Sequence, residues 1–124
     1  MELVSVEVGS AQMAMTVKDH MVNGHGICHG GFLFTLADSA FAYACNSRNL
    51  VTVASGARID FLKPAHLNEL LIATACVVHQ GKRSGLYDVT VTNKAGDCVA
   101  QFRGNSTTIG GEIVRLDSAE VAND

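Results

Sequence analysis

Residues 29–45 read HGGFLFTLADSAFAYAC, and they carry the longest apolar run of the chain. Most of these residues are good helix formers, none is proline, and the run is longer than an ordinary strand. The sequence therefore predicts one helix over residues 32–45, directly after the paired glycines. Within it only Thr35, Asp38 and Ser39 are polar. Because an amphipathic surface helix keeps one polar side, we expect this helix to be covered nearly all round.

The polar residues of the predicted helix share one strip of its surface. Spacings of three and four residues bring four side chains to one face of the helix, namely those of Thr35, Asp38, Ser39 and Ala42. A carboxylate on such an apolar helix is costly to bury, and desolvation raises its pKa unless a cation or hydrogen-bond donors hold the charge. A functional site is one reason to keep Asp38 there. The alternative is a carboxylate that reaches solvent or caps a neighbouring loop.

The two glycines at the helix start predict a binding site for negative charge. Gly30 and Gly31 leave backbone N–H groups uncovered at the positive end of the helix dipole. An anion, or an oxyanion that develops during a reaction, binds at such a position. The alternative is that these glycines only form the turn before the helix.

Gly30 and Asp38 cannot act on one atom within a single chain, because they lie about 12 Å apart along a helix axis. A shared substrate requires two helices that lie antiparallel across a two-fold axis. The N–H donors of each chain then face the Asp38 of the other. The sequence therefore predicts an obligate homodimer with its sites at the interface.

Composition limits the class of protein. The length of 124 residues predicts one domain, residues 1–124. Hydrophobic residues are 48% and charged residues 17%, which excludes a disordered chain. A net charge of −3 argues against a nucleic-acid partner and gives no reason to expect a membrane partner. No basic segment precedes an apolar one at the start, so we expect a soluble, unexported, cytoplasmic protein.

The chain has four cysteines, Cys28, Cys45, Cys76 and Cys98. They show no CxxC spacing, so we expect reduced thiols, most of them small core residues. His25, Cys28 and His29 lie close together, but one short loop lacks a fourth ligand and the spacing matches no zinc pattern. The sequence therefore predicts no metal.

Alternating apolar residues predict six strands around the helix. A hairpin over residues 3–17 comes first, and strands follow over residues 51–62, 69–79, 87–92 and 98–103. We expect residues 69–79, which are nearly all apolar, to be buried on both faces, and Gly56 to allow a bend or a close backbone approach. The predicted fold class is α+β, with a curved antiparallel sheet around one helix. Residues 118–124 resemble a frayed tail.

Two loops carry candidate binding residues. Residues 18–28 bring Asn23, His25 and His29 to the helix start. A plain Asn-Gly turn is the alternative for Asn23, and a solvated loop histidine is the favoured interpretation of His25.

The second loop, residues 80–85, joins two strands and reads QGKRSG. Lys82 and Arg83 lie among small residues, including Ser84 and Gly85, and suit a polyphosphate tail. The alternative is a solvated basic turn. Lys63 and Arg103 are weaker phosphate candidates.

Eight short segments carry a resemblance to a known family. They are Asn23-Gly24-His25, Cys28-His29-Gly30-Gly31, Leu33-Phe34, Leu36-Ala37-Asp38, Ala40-Phe41-Ala42-Tyr43-Ala44-Cys45-Asn46-Ser47, Ile59-Asp60-Phe61-Leu62, His79-Gln80-Gly81-Lys82 and Phe102-Arg103-Gly104. With them the sequence resembles the phenylacetate-pathway acyl-CoA thioesterases of the hotdog superfamily, over about residues 4–111. The block 23–47 is specific, whereas the HGG triplet alone is shared with many hotdog proteins. The chain begins directly in a strand, so we expect it to lack the helix that relatives place before the first strand.

The resemblance implies a hotdog dimer, commonly paired into a homotetramer, that hydrolyses aryl-acetyl-CoA thioesters. Asp38 matches the family's catalytic carboxylate, which acts as nucleophile or general base. Gly30 matches the glycine whose N–H polarises the thioester carbonyl, and His29 and Asn23 match polar groups of the same pocket. Ser39 stands where relatives often carry Thr. We assign the substrate and its CoA portion to Gly31, Lys82, Arg83, Ser84 and Gly85.

Coenzyme A belongs to the substrate, so no cofactor is expected. Two other functions remain as alternatives. Hotdog hydratases and dehydratases also act on acyl thioesters, and His29 could serve that chemistry. A non-catalytic acyl-CoA-binding protein is the third class, although such a role usually needs an appended effector domain.

Overall fold

The computed structural model describes residues 1–114 of the chain, so the predicted tail at residues 118–124 lies outside the described residues. The described part forms one helix, one short 3₁₀ turn and six strands. They are β1 (Glu2–Glu7), β2 (Ser10–Thr16), the 3₁₀ turn (Asp19–Met21), α1 (Gly30–Cys45), β3 (Leu50–Phe61), β4 (Leu70–Gln80), β5 (Ser84–Thr92) and β6 (Cys98–Glu112). The predicted helix and strands are confirmed. Strand β6 continues to Glu112, nine residues beyond its predicted end, and the other boundaries differ by at most three residues.

The six strands form one sheet in the order β1-β2-β4-β5-β6-β3. Every neighbouring pair is antiparallel, and β1 and β2 form the predicted hairpin. Strand β3 therefore lies at one edge of the sheet, with β6 as its only described neighbour. This arrangement confirms the predicted α+β class.

The core lies between α1 and the inner face of the sheet. Inward residues of the central strands are fully buried, among them Leu71, Ala73, Tyr87, Val89, Val91 and Phe102. The ring of Phe41 on α1 packs 5.6 Å from the ring of Tyr87 and 5.7 Å from the ring of Phe102. Gly104 allows this packing, because a Cβ there would lie 2.8 Å from the Phe41 ring.

The expectation that α1 is covered nearly all round is wrong for the single chain. The sheet buries one side of the helix, including Leu36, Ala40 and Phe41. The opposite side is exposed at Gly31, Thr35, Ala42 and Tyr43. One sheet contacts a helix on one side only, so a continuous apolar run does not by itself indicate enclosure by the same chain.

Strand β4 differs from its prediction as well. Leu71, Ala73 and Ala75 are buried and alternate with half-buried residues, so only one face of the strand is covered. Val77 and Val78 are exposed. Two-sided burial was wrong because a single helix covers one face of this antiparallel sheet and leaves the other to solvent.

At Gly56 the structure favours the bend over the close approach. The pairing of β3 with β6 is irregular between Ala54 and Gly56, which indicates a β-bulge. A Cβ on Gly56 would meet no atom within 4 Å, so no other part of the described chain requires glycine there.

The end of α1 is tied to the start of β3 by Asn46. Its amide Nδ2 donates to Ala42 O at 2.9 Å and to Thr52 O at 3.1 Å, and its Oδ1 accepts from Thr52 N at 2.9 Å. Phe61, the last residue of β3, lies against Gly30, the first residue of α1. Strand β3 therefore runs along α1 in the opposite direction. Within residues 1–114 no helix has the length and hydropathy needed to cross a membrane.

Candidate active site

The start of α1 is held by backbone hydrogen bonds to two segments of the chain, residues 21–23 and Ala65. His29 N donates to Met21 O at 2.8 Å, Cys28 N donates to Ala65 O at 2.8 Å, and Val22 pairs with Cys28 in a short antiparallel bridge. His29 occupies the position before the helix without a side-chain cap, so Gly30 is the first helical residue. The loop thus fixes the direction of the first N–H groups of the helix.

Two backbone donors at this helix start are unsatisfied. The first intrahelical bond there is donated by Phe32 N, which lies 3.1 Å from His29 O. Within residues 1–114, nothing accepts a hydrogen bond from the backbone N–H of Gly30 or of Gly31. A helix start with free donors attracts negative charge. The geometry therefore agrees with the anion site predicted from the paired glycines.

A cavity of about 340 Å³ opens beside these donors. We call it the Phe61 cavity, and its lining includes Cys28, Gly30, Leu33, Phe61, Leu62 and Ala65. The Phe61 ring packs on Gly30 so closely that a Cβ at Gly30 would lie 2.7 Å from Phe61 Cζ. Sequence reasoning missed Phe61 as a site residue, and the only signal was its place in the motif Ile59-Asp60-Phe61-Leu62.

Asp38 lies half-buried on the same helix, two turns beyond Gly30. Burial raises the pKa of its carboxyl above the ordinary value of 3.8. Phe34 precedes it by one turn, and the Phe34 ring lies 5.5 Å from the ring of Phe102 on β6. Asp38 therefore belongs to the flank of α1 that faces β6 and the β3 edge.

The other polar residues of the strip turn toward their own helix. Thr35 Oγ1 donates to Gly31 O at 2.8 Å, and Ser39 Oγ donates to Thr35 O at 2.7 Å. No ion pair to Asp38 is present among residues 1–114. Asp38 is thus the one carboxylate of this strip. The hydroxyl groups of Thr35 and Ser39 donate to backbone oxygens of the helix and not to the Asp38 carboxylate.

The loop residues predicted beside the carbonyl have different surroundings. Asn23 Oδ1 accepts from His25 N at 2.9 Å and from Ile27 N at 3.1 Å, which is the turn that the alternative interpretation described. His25 is exposed, in agreement with a solvated loop histidine. The side chain of His29 is exposed next to Gly30.

The basic turn at residues 80–85 is held by one backbone hydrogen bond within the turn and by one from β6. Gly81 N donates to Ser84 O at 2.8 Å, and Thr108 N donates to Arg83 O at 2.7 Å. Lys82, Arg83 and Ser84 are exposed, whereas Gly85 is buried. A Cβ on Gly85 would lie 2.6 Å from Gln80 Oε1, so Gly85 serves packing beneath the turn rather than an open surface.

The weaker cation candidates are engaged elsewhere. Arg103 makes two short hydrogen bonds to Asp88, at 2.7 Å and 2.9 Å. Arg103 thereby holds the pKa of the Asp88 carboxyl below its usual value. Lys63 Nζ lies 3.6 Å from Asp97 Oδ2.

The cysteines divide into two environments. Cys28 and Cys45 are buried, which raises the pKa of both thiols, that of Cys45 to about 11. Cys98 is half-buried and Cys76 is exposed, so the expectation of mostly core cysteines holds for two of the four. In the part of the chain that the structure describes, no three His, Cys, Asp or Glu side chains form a group that could hold a metal ion.

Known proteins are similar to this chain in sequence and in fold. The model of the family described as Thioesterase superfamily matches residues 25–100. The acyl-coenzyme A thioesterase PaaI of Escherichia coli is 53% identical over 112 residues, which are 90% of this chain and 80% of PaaI. Human acyl-coenzyme A thioesterase 13 is 38% identical over 104 residues, which are 82% of this chain and 74% of the human protein.

Solved structures of related proteins have the same fold as this chain. The structure of the E. coli PaaI protein from the phenylacetic acid degradation operon superposes with a TM-score of 0.88 and 52% identity, covering 91% of this chain and 82% of PaaI. A Streptococcus mutans protein bound to acetyl CoA superposes with a TM-score of 0.85 and 31% identity, covering 90% of each chain. These matches confirm the predicted hotdog fold and the enzyme class, a thioester hydrolase. The chain belongs to the thioesterase superfamily.

Proposed function

We propose that this protein is an acyl-CoA thioesterase that hydrolyses aryl-acetyl-CoA, either phenylacetyl-CoA or hydroxyphenylacetyl-CoA, to the free acid and coenzyme A. The observation that carries this proposal is the pair of unsatisfied N–H groups at the start of α1, with a half-buried carboxylate two turns along the same helix. The names of the relatives support the acyl-CoA class, and the operon of the E. coli relative supports the aryl-acetyl group.

The geometry supports a homodimer as the working unit. Strand β3 is an edge strand of 12 residues. Asn46 binds the backbone of Thr52 near its start, and from Val53 to Phe61 its outer backbone groups have no described partner. Antiparallel pairing of two β3 edges about a two-fold axis would continue the sheet. Because β3 runs along α1 in the opposite direction, the same axis would bring two helices antiparallel. Asp38 of each copy would then approach Gly30 of the other. We further expect dimers to pair into a homotetramer.

In the proposed reaction the thioester carbonyl accepts hydrogen bonds from the helix start. Negative charge grows on the carbonyl oxygen, and a preorganised N–H such as that of Gly30 stabilises it by about 3 kcal/mol. Asp38 of the second copy takes a proton from water, whose oxygen adds to the carbonyl carbon. The C–S bond then breaks and coenzyme A leaves as the thiol. In the alternative route the carboxylate itself adds to the carbonyl carbon, the C–S bond breaks and coenzyme A leaves as the thiolate, and water then cleaves the resulting anhydride to the free acid and the restored Asp38.

The remaining residues have supporting roles in this proposal. His29 and Asn23 stand on the loop that presents Gly30, and we assign them to the polar wall around the carbonyl. Ser39 is assigned to the site by its place beside Asp38, and Gly31 supplies the second free N–H. The reaction needs no metal and no cofactor, since coenzyme A brings its own leaving group.

Wild-type activity tests the proposal. Thiol release should follow the addition of phenylacetyl-CoA or hydroxyphenylacetyl-CoA, measured with a thiol reagent in the presence of a chelator. Release should be slower from a straight-chain ester such as hexanoyl-CoA. Absence of thiol release from every ester would overturn the proposed function, and faster release from hexanoyl-CoA would overturn the aryl-acetyl assignment.

We assign the phosphates of coenzyme A to the exposed turn that carries Lys82 and Arg83. The double variant Lys82→Ala/Arg83→Ala should raise the KM for CoA esters about fivefold with little change in kcat, because two exposed charge contacts contribute about 1 kcal/mol. The effect should shrink at high salt. Lys94→Ala, in an exposed turn between β5 and β6, is the matched control. A KM equal to that of wild type would exclude this turn as the phosphate site.

A further inference from the structure

The Phe61 cavity has the size of a pocket for one small group. Its volume of about 340 Å³ lies at the lower end of the range for ligand sites, roughly 300–1,000 Å³. A complete coenzyme A ester is much larger than such a space. The cavity therefore suits one end of the substrate, the acyl group or part of the pantetheine arm.

The charges of the lining distinguish these two ends. Lys63 is the one charged side chain in the lining, and its ammonium lies 3.6 Å from the carboxylate of Asp97. The rest of the lining is uncharged and mostly apolar, for example Leu33, Leu62 and Ala65. An apolar cavity whose one cation is already paired favours an uncharged hydrophobic group over the phosphate-bearing end of coenzyme A.

The cavity also lies next to the reacting position of the proposed mechanism. Gly30 belongs to its lining and contributes a backbone N–H that nothing in the described chain accepts. Because Gly30 itself lines the cavity, a carbonyl oxygen bound to its N–H would place the carbonyl carbon close to the cavity. One substituent of that carbon could then enter the cavity, where Phe61 is part of the lining.

Phe61 presents an aromatic surface to that substituent. Part of its ring covers Gly30, yet the residue is 54% exposed at the end of the β3 edge. A half-covered ring offers an edge or a face to a second aromatic ring, and such pairs prefer centroid distances of about 4.5–7 Å. An aliphatic chain in the same space gains burial but not this aromatic contact.

We propose that the Phe61 cavity receives the acyl group of the substrate, and that Phe61 is the residue that selects an aryl-acetyl group over a straight-chain one. This inference rests on the proposed function. It adds the position of the acyl group and a specificity-determining residue that touches it.

The test compares two substrates in three variants. In Phe61→Leu the ratio of kcat/KM for phenylacetyl-CoA to that for hexanoyl-CoA should fall about fivefold, the effect of losing one aromatic pair. Phe61→Tyr keeps the ring and should preserve the ratio. Ile109→Ala removes an exposed apolar side chain from β6 and should leave both rates unchanged. Thermal unfolding of each variant is measured alongside.

The outcomes separate this inference from the function on which it rests. Hydrolysis of neither ester by wild type overturns both. Hydrolysis of both esters with the same ratio in wild type and Phe61→Leu overturns the specificity role alone. A weaker inhibition of Phe61→Leu by free coenzyme A, with an unchanged ratio, would place the pantetheine arm in the cavity and would also overturn the inference.

Discussion

Asp38→Asn should lower kcat for phenylacetyl-CoA hydrolysis by about 10³-fold, within the range that general base catalysis supplies. Asparagine has nearly the same shape but can neither add to a carbonyl carbon nor take a proton from water. Burial raises the pKa of Asp38, which makes the carboxylate a stronger base than an exposed one. The assay is thiol release under single-turnover and steady-state conditions.

The same variant should keep its fold. Because the folded pKa of Asp38 lies above the unfolded value of 3.8, its contribution to stability is present below pH 3.8 and is lost as pH rises through the folded pKa. At neutral pH the carboxylate is therefore unfavourable for folding, and Asp38→Asn should melt at the wild-type temperature or above. Asp19→Asn, an exposed residue before α1, is the control for a lost carboxylate. Wild-type rates in Asp38→Asn would refute the catalytic assignment.

Gly30→Pro should lower kcat by about 10²- to 10³-fold relative to Gly30→Ala, because one oxyanion donor is lost. Proline removes the N–H, and it is well tolerated at the first helical position, which Gly30 occupies. His29 has φ −64° and ψ 140°, the extended conformation that a residue before proline prefers. The substitution therefore changes the donor with little expected change in the helix.

Gly30→Ala is the matched control for this variant. Both substitutions introduce a Cβ about 2.7 Å from the present position of Phe61 Cζ, so both require the same shift of the half-exposed ring. Only the proline variant also loses the N–H. The ratio of the two kcat values thus isolates the donor, and equal kcat values would contradict its role at the carbonyl.

Much of the fold was predictable from local patterns. The helix follows from a long apolar run without proline, and α1 spans Gly30–Cys45, beginning two residues before the predicted start. Alternation predicted a strand over residues 87–92, and its apolar residues Tyr87, Val89 and Val91 are all fully buried. These predictions depend on periodicity alone, which reports the face of an element but not its neighbours.

The predictions that failed concern which face of a helix or strand is covered by the elements packed against it. The apolar run in β4 suggested burial on both faces, yet which face is covered depends on where the single helix packs. The open side of α1 could not be predicted for the same reason. Asn23 was correctly weighed against a turn, and its Oδ1 does accept two backbone N–H groups.

The sequence pointed to the polar groups of the candidate site but not to the apolar residue that lies beside them. Gly30 and Asp38 carry chemical signals, a bare helix start and a carboxylate among apolar residues. Phe61 lies 31 residues after Gly30 in the sequence, and the contact between them depends on how β3 returns along α1. No local pattern reports such a contact.

Activity of mixed dimers tests most directly whether a site joins Gly30 of one copy with Asp38 of the other. Gly30→Pro and Asp38→Asn chains with different tags are coexpressed, and the heterodimer is purified through both tags. One of its two sites then has an intact donor and an intact acid, so thiol release should return to about half the wild-type rate per dimer. A heterodimer as inactive as the two parent variants would contradict the shared site.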